Sequence, residues 1–125
     1  MTYLLDTHVL LCWFDNPKRL SHEARDVISD ARALVYFSSV SAWEIVIKKS
    51  LGKLKVSNRL FSLIEEESFT ELPVTIAHAQ ELETLPLHHA DPFDRLLIAQ
   101  ARYEKVSLIT RDKQFEKYGI PLIRA

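Results

Sequence analysis

Five short runs of apolar and β-branched residues are separated by longer stretches in which apolar residues recur at helical spacing. Runs of this length and composition predict buried or partly buried strands. The predicted strands lie at residues 3–5, 34–39, 69–74, 106–110 and 120–124. The run at residues 3–5 stops abruptly at an acid, Asp6, and the run at residues 106–110 is again followed closely by an acid, Asp112.

The stretches between the runs predict helices. They cover residues 9–14, 21–33, 42–51, 58–67, 76–84, 93–105 and 113–118. Ser21 is a suitable N-cap for the second helix, and the third is expected to stop at Gly52. Strands that alternate with helices predict an α/β fold, with a mostly parallel sheet of about four or five strands and helices on both faces.

The composition indicates one ordered domain. The 125 residues are 47% hydrophobic, which is enough for one core, so a single domain over residues 1–125 is expected. No apolar run approaches the length of a membrane span, no signal-peptide pattern is visible, and Cys12 is the only cysteine, so a cytoplasmic protein is expected. The net charge is −1, so contact with nucleic acid would need a local basic patch or bound metal.

Acidic residues recur where a predicted strand or loop gives way to a helix. They are Asp6, Glu44, Asp94 and Asp112. Each has a simpler explanation as a capping residue. Glu44, for example, completes a Ser-x-x-Glu capping box with Ser41. Capping explains Asp94 least well, because Asp91 is already a suitable N-cap for the same helix.

In an open parallel sheet these junctions share one edge, outside the carboxyl ends of the strands, where such folds bind ligands. Carboxylates gathered at that edge repel one another unless a divalent cation neutralises them, and oxygen ligands suit Mg²⁺ or Mn²⁺ better than zinc. A metal site of this kind activates water for attack on a phosphodiester. The acids therefore predict a metal-dependent hydrolase if they converge, and a set of helix caps if they do not.

Four segments of the sequence fit one known pattern in order and spacing. They read LLDTHVLLCW, SSVSAWEI, HHADPFDRLLIAQA and LITRDKQF. Together they resemble the PIN domain, in particular the VapC-type toxins of toxin–antitoxin pairs. The resemblance implies a PIN-like α/β/α sandwich, a metal-dependent endoribonuclease acting on RNA, and a small cognate antitoxin whose tail blocks the active site. Together with the high apolar fraction of so small a domain, it also implies a homodimer.

The resemblance carries over residue by residue. It implies that the catalytic and metal-ligating acids are Asp6, Glu44, Asp94 and Asp112, with Mg²⁺ or Mn²⁺ as the cofactor. Thr7, Ser41 and Thr110 match small polar positions that orient carboxylates or waters, and Asp91 is an extra, accessory acid of the DPFD segment.

Basic and imidazole side chains flank the acids. Arg95 and Arg111 are predicted to hold RNA because guanidinium binds phosphate in a bidentate manner, although an ion pair with a neighbouring acid is the alternative. The lysine-rich residues 48–59 form either a solvated face or a second RNA contact. His88 and His89 are expected to contact substrate from a loop or to form a solvated pair, because imidazole suits softer metals than this cluster does.

Two other functions stay open on the sequence alone. A haloacid-dehalogenase-type phosphatase also places Asp after its first strand, but it expects a second Asp two residues later, where this chain has His8. A PIN-like interaction module without catalysis would use its acids only as helix caps, and would not need all four. A divalent-metal titration separates this module from the enzyme.

Overall fold

The computed structural model describes residues 1–125 and contains one five-stranded sheet. Its strands are β1 (Thr2–Leu5), β2 (Leu34–Ser38), β3 (Thr70–Leu72), β4 (Ser107–Thr110) and β5 (Leu122–Arg124). All neighbouring strands are parallel, in the order β3-β2-β1-β4-β5. Strand β1 is central, and its Leu4 lies opposite Tyr36 of β2 and Leu108 of β4. The predicted α/β class with a parallel sheet is confirmed.

Six α-helices connect the strands. They are α1 (Thr7–Asp15), α2 (His22–Ser29), α3 (Ser39–Ser50), α4 (Leu60–Glu66), α5 (Ile76–Glu81) and α6 (Pro92–Glu104). Short 3₁₀ segments follow α1, follow α5 and precede β5, at Pro17–Arg19, Leu82–Thr84 and Lys113–Tyr118. No helix has the length and apolar character needed to cross a membrane.

Two buried clusters cover the two faces of the sheet. Successive residues of a strand point to opposite faces, so Leu5 and Ile109 lie in one cluster, whereas Leu4 and Leu108 lie in the other. Helices α1, α2 and α4 supply apolar side chains to the first cluster, and α6 supplies them to the second. The arrangement is the α/β/α sandwich that the sequence predicts.

Helix α3 begins earlier than the sequence predicts. Its N-cap is Ser38, whose hydroxyl oxygen accepts the Val40 N–H at 3.0 Å. Ser41 therefore lies in the first turn and Glu44 in the second, so the predicted capping box of these two residues is wrong. Several nearby serines could cap this helix, and both Ser38 and Ser41 are fully buried. Their long-range partners differ, because the Ser38 hydroxyl donates to Gln100 Oε1 at 2.5 Å, whereas the Ser41 hydroxyl is hydrogen-bonded to Thr7.

The carboxyl ends of β1 and β4 lie side by side at the centre of the sheet. The connections from β1 run outward to β2 and β3 on one side, whereas β4 and β5 extend the sheet on the other. The Asp6 N–H donates to the Ile109 carbonyl at 3.0 Å, which continues the pairing one residue beyond β1. Open α/β sheets bind ligands in the crevice at such a reversal of strand order.

Candidate metal centre

Asp6 joins the two central strands at their carboxyl ends. It is 2% exposed and is the N-cap of α1, where its Oδ1 accepts the His8 N–H at 3.0 Å. Its Oδ2 accepts the hydroxyl of Thr110, the last residue of β4, at 2.6 Å. Asp6 therefore caps α1 and contacts β4 at the same time, since one of its oxygens accepts a helix N–H and the other accepts a hydroxyl of the neighbouring strand.

Glu44 approaches the same edge from α3. Its side chain is buried, and Oε2 accepts a hydrogen bond from the ammonium group of Lys48, one turn later. The other oxygen, Oε1, is buried and has no hydrogen-bond partner. Thr7 and Ser41 share a hydrogen bond of 2.7 Å between their buried hydroxyls, which ties the start of α1 to the start of α3.

Asp91 and Asp94 have different roles at the start of α6. Asp91 is the N-cap, and its Oδ1 accepts the N–H groups of Phe93 and Asp94 at 2.8 and 3.3 Å. Pro92 occupies the first helical position, where its missing N–H costs no hydrogen bond. The Asp94 carboxylate is not needed for capping, as the sequence indicates.

Asp112 reaches the cluster from the turn after β4. Its Oδ1 accepts the Gln114 N–H at 2.9 Å, and its own N–H donates to the Thr110 hydroxyl oxygen at 3.0 Å. Burial acts to raise the pKa of Asp112. The hydrogen bonds from Gln114 and His89 outweigh burial and hold that pKa below its usual value, so this carboxylate is charged at neutral pH.

His89 connects two of these acids, a role that the sequence does not indicate. Its Nε2 lies 3.1 Å from Asp94 Oδ2 and 2.9 Å from Asp112 Oδ2. The side chain is only 11% exposed, so the expectation of a solvated pair is wrong for His89. His88, by contrast, is exposed and makes no side-chain hydrogen bond to an acid. The sequence shows that a histidine stands close to the DPFD segment, but not which of the two turns inward.

The negative charges interact across the cluster. Burial, together with the charges of Asp6 and Asp91, raises the pKa of Asp94 to about 7, and Glu44 adds a smaller repulsion. Burial also raises the pKa of Asp6, despite the hydrogen bond that Thr110 donates to it. In the absence of a cation the cluster therefore takes up protons to reduce its own repulsion.

The available donors suit a hard divalent cation. The four acids offer carboxylate oxygens, the ligand type that Mg²⁺ and Mn²⁺ prefer. The unpartnered Oε1 of Glu44 supports this fit, because a buried carboxylate oxygen without a hydrogen bond is unfavourable unless another group supplies positive charge. The structure brings the predicted acids Asp6, Glu44, Asp94 and Asp112 to one edge, and their role as catalytic metal ligands stays a prediction.

The two predicted RNA-binding arginines differ in their surroundings. The Arg95 guanidinium donates to the carbonyls of Pro86 and Leu85 at 2.9 and 3.4 Å, so it braces the loop before α6. It pairs with no neighbouring acid, and the RNA contact predicted for it remains untested. Arg111 is exposed and lies on the wall of a cavity of about 430 Å³ beside the acids. The residues that line this cavity are Asp6, His8, Cys12, Arg19, Arg111 and Asp112.

The lysine-rich stretch is partly committed to internal contacts. Lys48 pairs with Glu44, and Lys49 donates to the Asn58 side chain at 2.8 Å.

Arg19 also lines the cavity beside the acids, a position that the sequence does not indicate, because the 3₁₀ turn that begins at Pro17 folds it back toward the acids. Nothing in the sequence around Arg19 indicates that position.

Known proteins resemble this chain in sequence and in fold. Ribonuclease VapC22 of Mycobacterium tuberculosis is 28% identical over 123 residues, which cover 96% of this chain and 94% of that protein. The structure of VapBC2 from Rickettsia felis bound to a DNA fragment from its promoter superimposes with a TM-score of 0.76 at 16% identity, covering 99% of this chain and 98% of that one. DNA-bound VapBC from Salmonella typhimurium gives a TM-score of 0.69 at 19% identity, with the same coverage of both chains.

The two superpositions establish a shared fold, and the match to a family model establishes the family. The family model of the PIN domain matches residues 3–121, which include all four acids of the cluster, the whole of β2, β3 and β4, and β1 except its first residue. The parallel sheet, the reversal of strand order beside Asp6 and the acids at its edge agree with that match. The chain belongs to the PIN domain family.

Proposed function

We propose that this protein is a metal-dependent endoribonuclease that acts as the toxin of a toxin–antitoxin pair. The observation that carries the proposal is the convergence of four carboxylates, from four separate parts of the chain, at one edge of a PIN domain. The name of the Mycobacterium tuberculosis relative, a ribonuclease of the VapC series, supports the same activity. The VapBC structures with the same fold are complexes, which supports an antitoxin partner.

The proposed cofactor is Mg²⁺ or Mn²⁺, and the residues that would hold it are Asp6, Glu44, Asp94 and Asp112. When bound, such a cation activates water and stabilises the charge that develops on the leaving oxygen of a phosphodiester. Other residues of the chain hold these acids in place. Thr110 fixes the Asp6 carboxylate through its hydrogen bond of 2.6 Å, and the Thr7–Ser41 hydrogen bond connects α1, which Asp6 caps, to α3, which carries Glu44.

The cavity beside the acids supplies a surface for the RNA backbone. Arg19 and Arg111 line it together with Asp6 and Asp112, and neither guanidinium forms an ion pair within the chain. Free guanidinium groups beside a hydrolytic site suit phosphate oxygens. We propose that the RNA phosphates next to the scissile bond bind to these two guanidinium groups.

The antitoxin is proposed to enter along a neighbouring groove of about 460 Å³. Its apolar lining residues are Leu11, Phe14, Leu54, Val56, Leu60 and Leu63. The groove shares His8, Cys12 and Arg19 with the acid cavity, so the two are continuous. An amphipathic segment lying in the groove would bring its end to the acids, which is the recognition mode of a helix in an apolar groove. We also propose a homodimer and a cytoplasmic location, where an RNA substrate is available.

The test is cleavage of a synthetic RNA pool by the purified chain, freed of any antitoxin, in Mg²⁺, in Mn²⁺ and in chelator. Cleavage is expected only with a cation and is expected to continue when the scissile ribose lacks its 2′-hydroxyl, because water is the nucleophile. Hydrolysis of p-nitrophenyl phosphate without RNA cleavage would favour a phosphatase instead. Cleavage that persists in chelator would overturn the metal-dependent mechanism.

A further inference from the structure

His89 is held in a single orientation by contacts on several sides. Its ring packs edge-to-face against the fully buried Phe115, with centroids 5.7 Å apart. Its backbone N–H and that of His88 both donate to the Tyr118 hydroxyl, at 2.8 and 3.0 Å. The loop and the ring are therefore fixed before any ligand arrives, which is the condition for a group that orients others.

The hydrogen bonds of the ring also fix its tautomer. The Asp91 N–H donates to His89 Nδ1 at 3.1 Å, so Nδ1 carries a lone pair and not a hydrogen. The neutral ring then carries its hydrogen on Nε2. That nitrogen faces Asp112 Oδ2 at 2.9 Å and Asp94 Oδ2 at 3.1 Å, so it is a shared donor to two carboxylates.

A donor in this place does not act as a metal ligand. Imidazole binds a cation through a nitrogen lone pair, and the one lone pair of this tautomer is occupied by the Asp91 N–H. The three side chains His89, Asp94 and Asp112 place ligand-type atoms within 4.8 Å of one another. The direction of the hydrogen bonds nevertheless leaves only the carboxylates to coordinate.

We propose that His89 is a positioning residue that holds Asp94 and Asp112 at the spacing needed to bind the divalent cation, through its Nε2–H and without contacting the cation. The inference rests on the proposed function, since it concerns the same site. The proposal distinguishes the two histidines of HHADPFD. His89 has a role at the acids, whereas His88 beside it is exposed and makes no such bond.

Two variants that differ by one methylene test the proposal on the full chain without RNA. Glutamine in His89→Gln carries its amide N–H to about the reach of Nε2, whereas asparagine in His89→Asn ends near Nδ1 and cannot bridge the acids. Mn²⁺ affinity is measured by the electron paramagnetic resonance signal of free Mn²⁺. His89→Asn is expected to weaken binding by about 10- to 100-fold, as loss of a ligand-orienting partner does. His89→Gln and the control His88→Ala are expected to stay close to wild type.

Pulsed resonance on bound Mn²⁺ provides the second measurement. No imidazole nitrogen coupling is expected. Such a coupling in wild type that is absent in His89→Gln would overturn the proposal, because it would make His89 a ligand. Equal affinities of wild type and His89→Asn, or equal losses in both His89 variants, would also overturn it. None of these readouts uses RNA, so a protein that binds Mn²⁺ as expected but cleaves no RNA would refute the proposed function alone.

Discussion

The hydroxyl of Thr110 lies 2.6 Å from Oδ2 of Asp6, although the two residues are 104 positions apart in the chain. The same hydroxyl oxygen accepts the Asp112 N–H at 3.0 Å, so one neutral side chain links the acids that follow β1 and β4. The carboxylates at the centre of the sheet are therefore placed by a residue that has no charge of its own.

Replacing Thr110 with valine is expected to destabilise the protein by about 1–3 kcal/mol, because it leaves a buried carboxylate oxygen and an N–H group without their partner. Urea unfolding in chelator measures the change in the free energy of unfolding. Thr110→Ser, which keeps the hydroxyl, is the matched control and is expected to lose less. A valine variant as stable as wild type would show that this hydrogen bond does not organise the site.

Asp94→Asn is expected to abolish RNA cleavage while leaving the protein folded. Asn keeps the shape of the side chain but removes the charge that a hard cation requires, so activity should fall by at least about 100-fold, the upper range for residues that merely support a ligand. In chelator the variant should melt at a higher temperature, because one repelling charge is gone. A cleavage assay and a melt by circular dichroism measure both effects, and cleavage at a near wild-type rate would reject Asp94 as a catalytic ligand.

The stability of the metal-free protein is expected to fall as pH rises from about 4 toward about 7. The pKa of Asp94 is about 7 in the fold, whereas an unfolded Asp has a pKa of about 3.9. The folded state therefore binds the proton more tightly, so its stabilising effect is complete below the unfolded value and is lost as pH rises through the folded value. Melting temperatures in chelator at several pH values measure the slope.

The Asp94→Asn protein is the control for this pH dependence, since it removes the group that titrates. The difference between wild type and variant should shrink at low pH and grow at neutral pH. Saturating Mn²⁺ should reduce or reverse the wild-type slope, because the cation binds the ionised carboxylate. An identical pH profile for both proteins in chelator would assign the effect to other groups.

Arg111→Gln and Arg19→Gln are expected to raise KM for RNA more than they lower kcat. Both guanidinium groups line the cavity beside the acids, where they would bind RNA phosphates, and neither is one of the proposed metal ligands. Each lost phosphate contact should reduce the slope of log affinity against log salt by about 0.7 for a single strand. Arg32→Gln is the control, since Arg32 pairs with Asp30 just before β2, at the amino ends of the strands and away from the acids. Equal effects of all three variants would remove any special role of this wall.

The protein is expected to be a homodimer in solution. Trp43 and Val46 lie three positions apart on α3 and are 58% and 48% exposed, an apolar surface that a second copy would cover. Light scattering at micromolar concentration should give about twice the 14.5 kDa chain mass, and Val46→Glu should lower it. A monomeric wild type would contradict this prediction.

The positions of the strands and the junctions of the acids could be predicted from the sequence, because apolar runs and helix boundaries leave local signals. Asp91 and Pro92, for instance, mark the start of α6 by their own chemistry. The start of α3 could not be predicted in this way. Ser38 and Ser41 are equivalent as local caps, and their different long-range contacts distinguish them: Ser38 contacts Gln100, 62 residues away, and Ser41 contacts Thr7, 34 residues away.

The inward turn of His89 has the same explanation as the start of α3. Which of two adjacent histidines meets Asp112 depends on the Tyr118 hydroxyl and on Phe115, and both come from a segment far along the chain. Arg95 also makes contacts that the sequence does not reveal. Its guanidinium donates to carbonyl groups of the loop before α6, and the RNA contact expected from its place beside Asp94 stays a prediction.

The distribution of the four acids over the whole chain has a consequence for biosynthesis. Asp6 is synthesised before the other three acids, and β4 and Asp112, which complete the cluster, are synthesised after the other acids. A chain still being translated can fold its first elements, yet the acid cluster is not complete until β4 pairs with β1. Premature termination before β4 should therefore yield a product that lacks the proposed cleavage site altogether, rather than a nuclease of reduced potency.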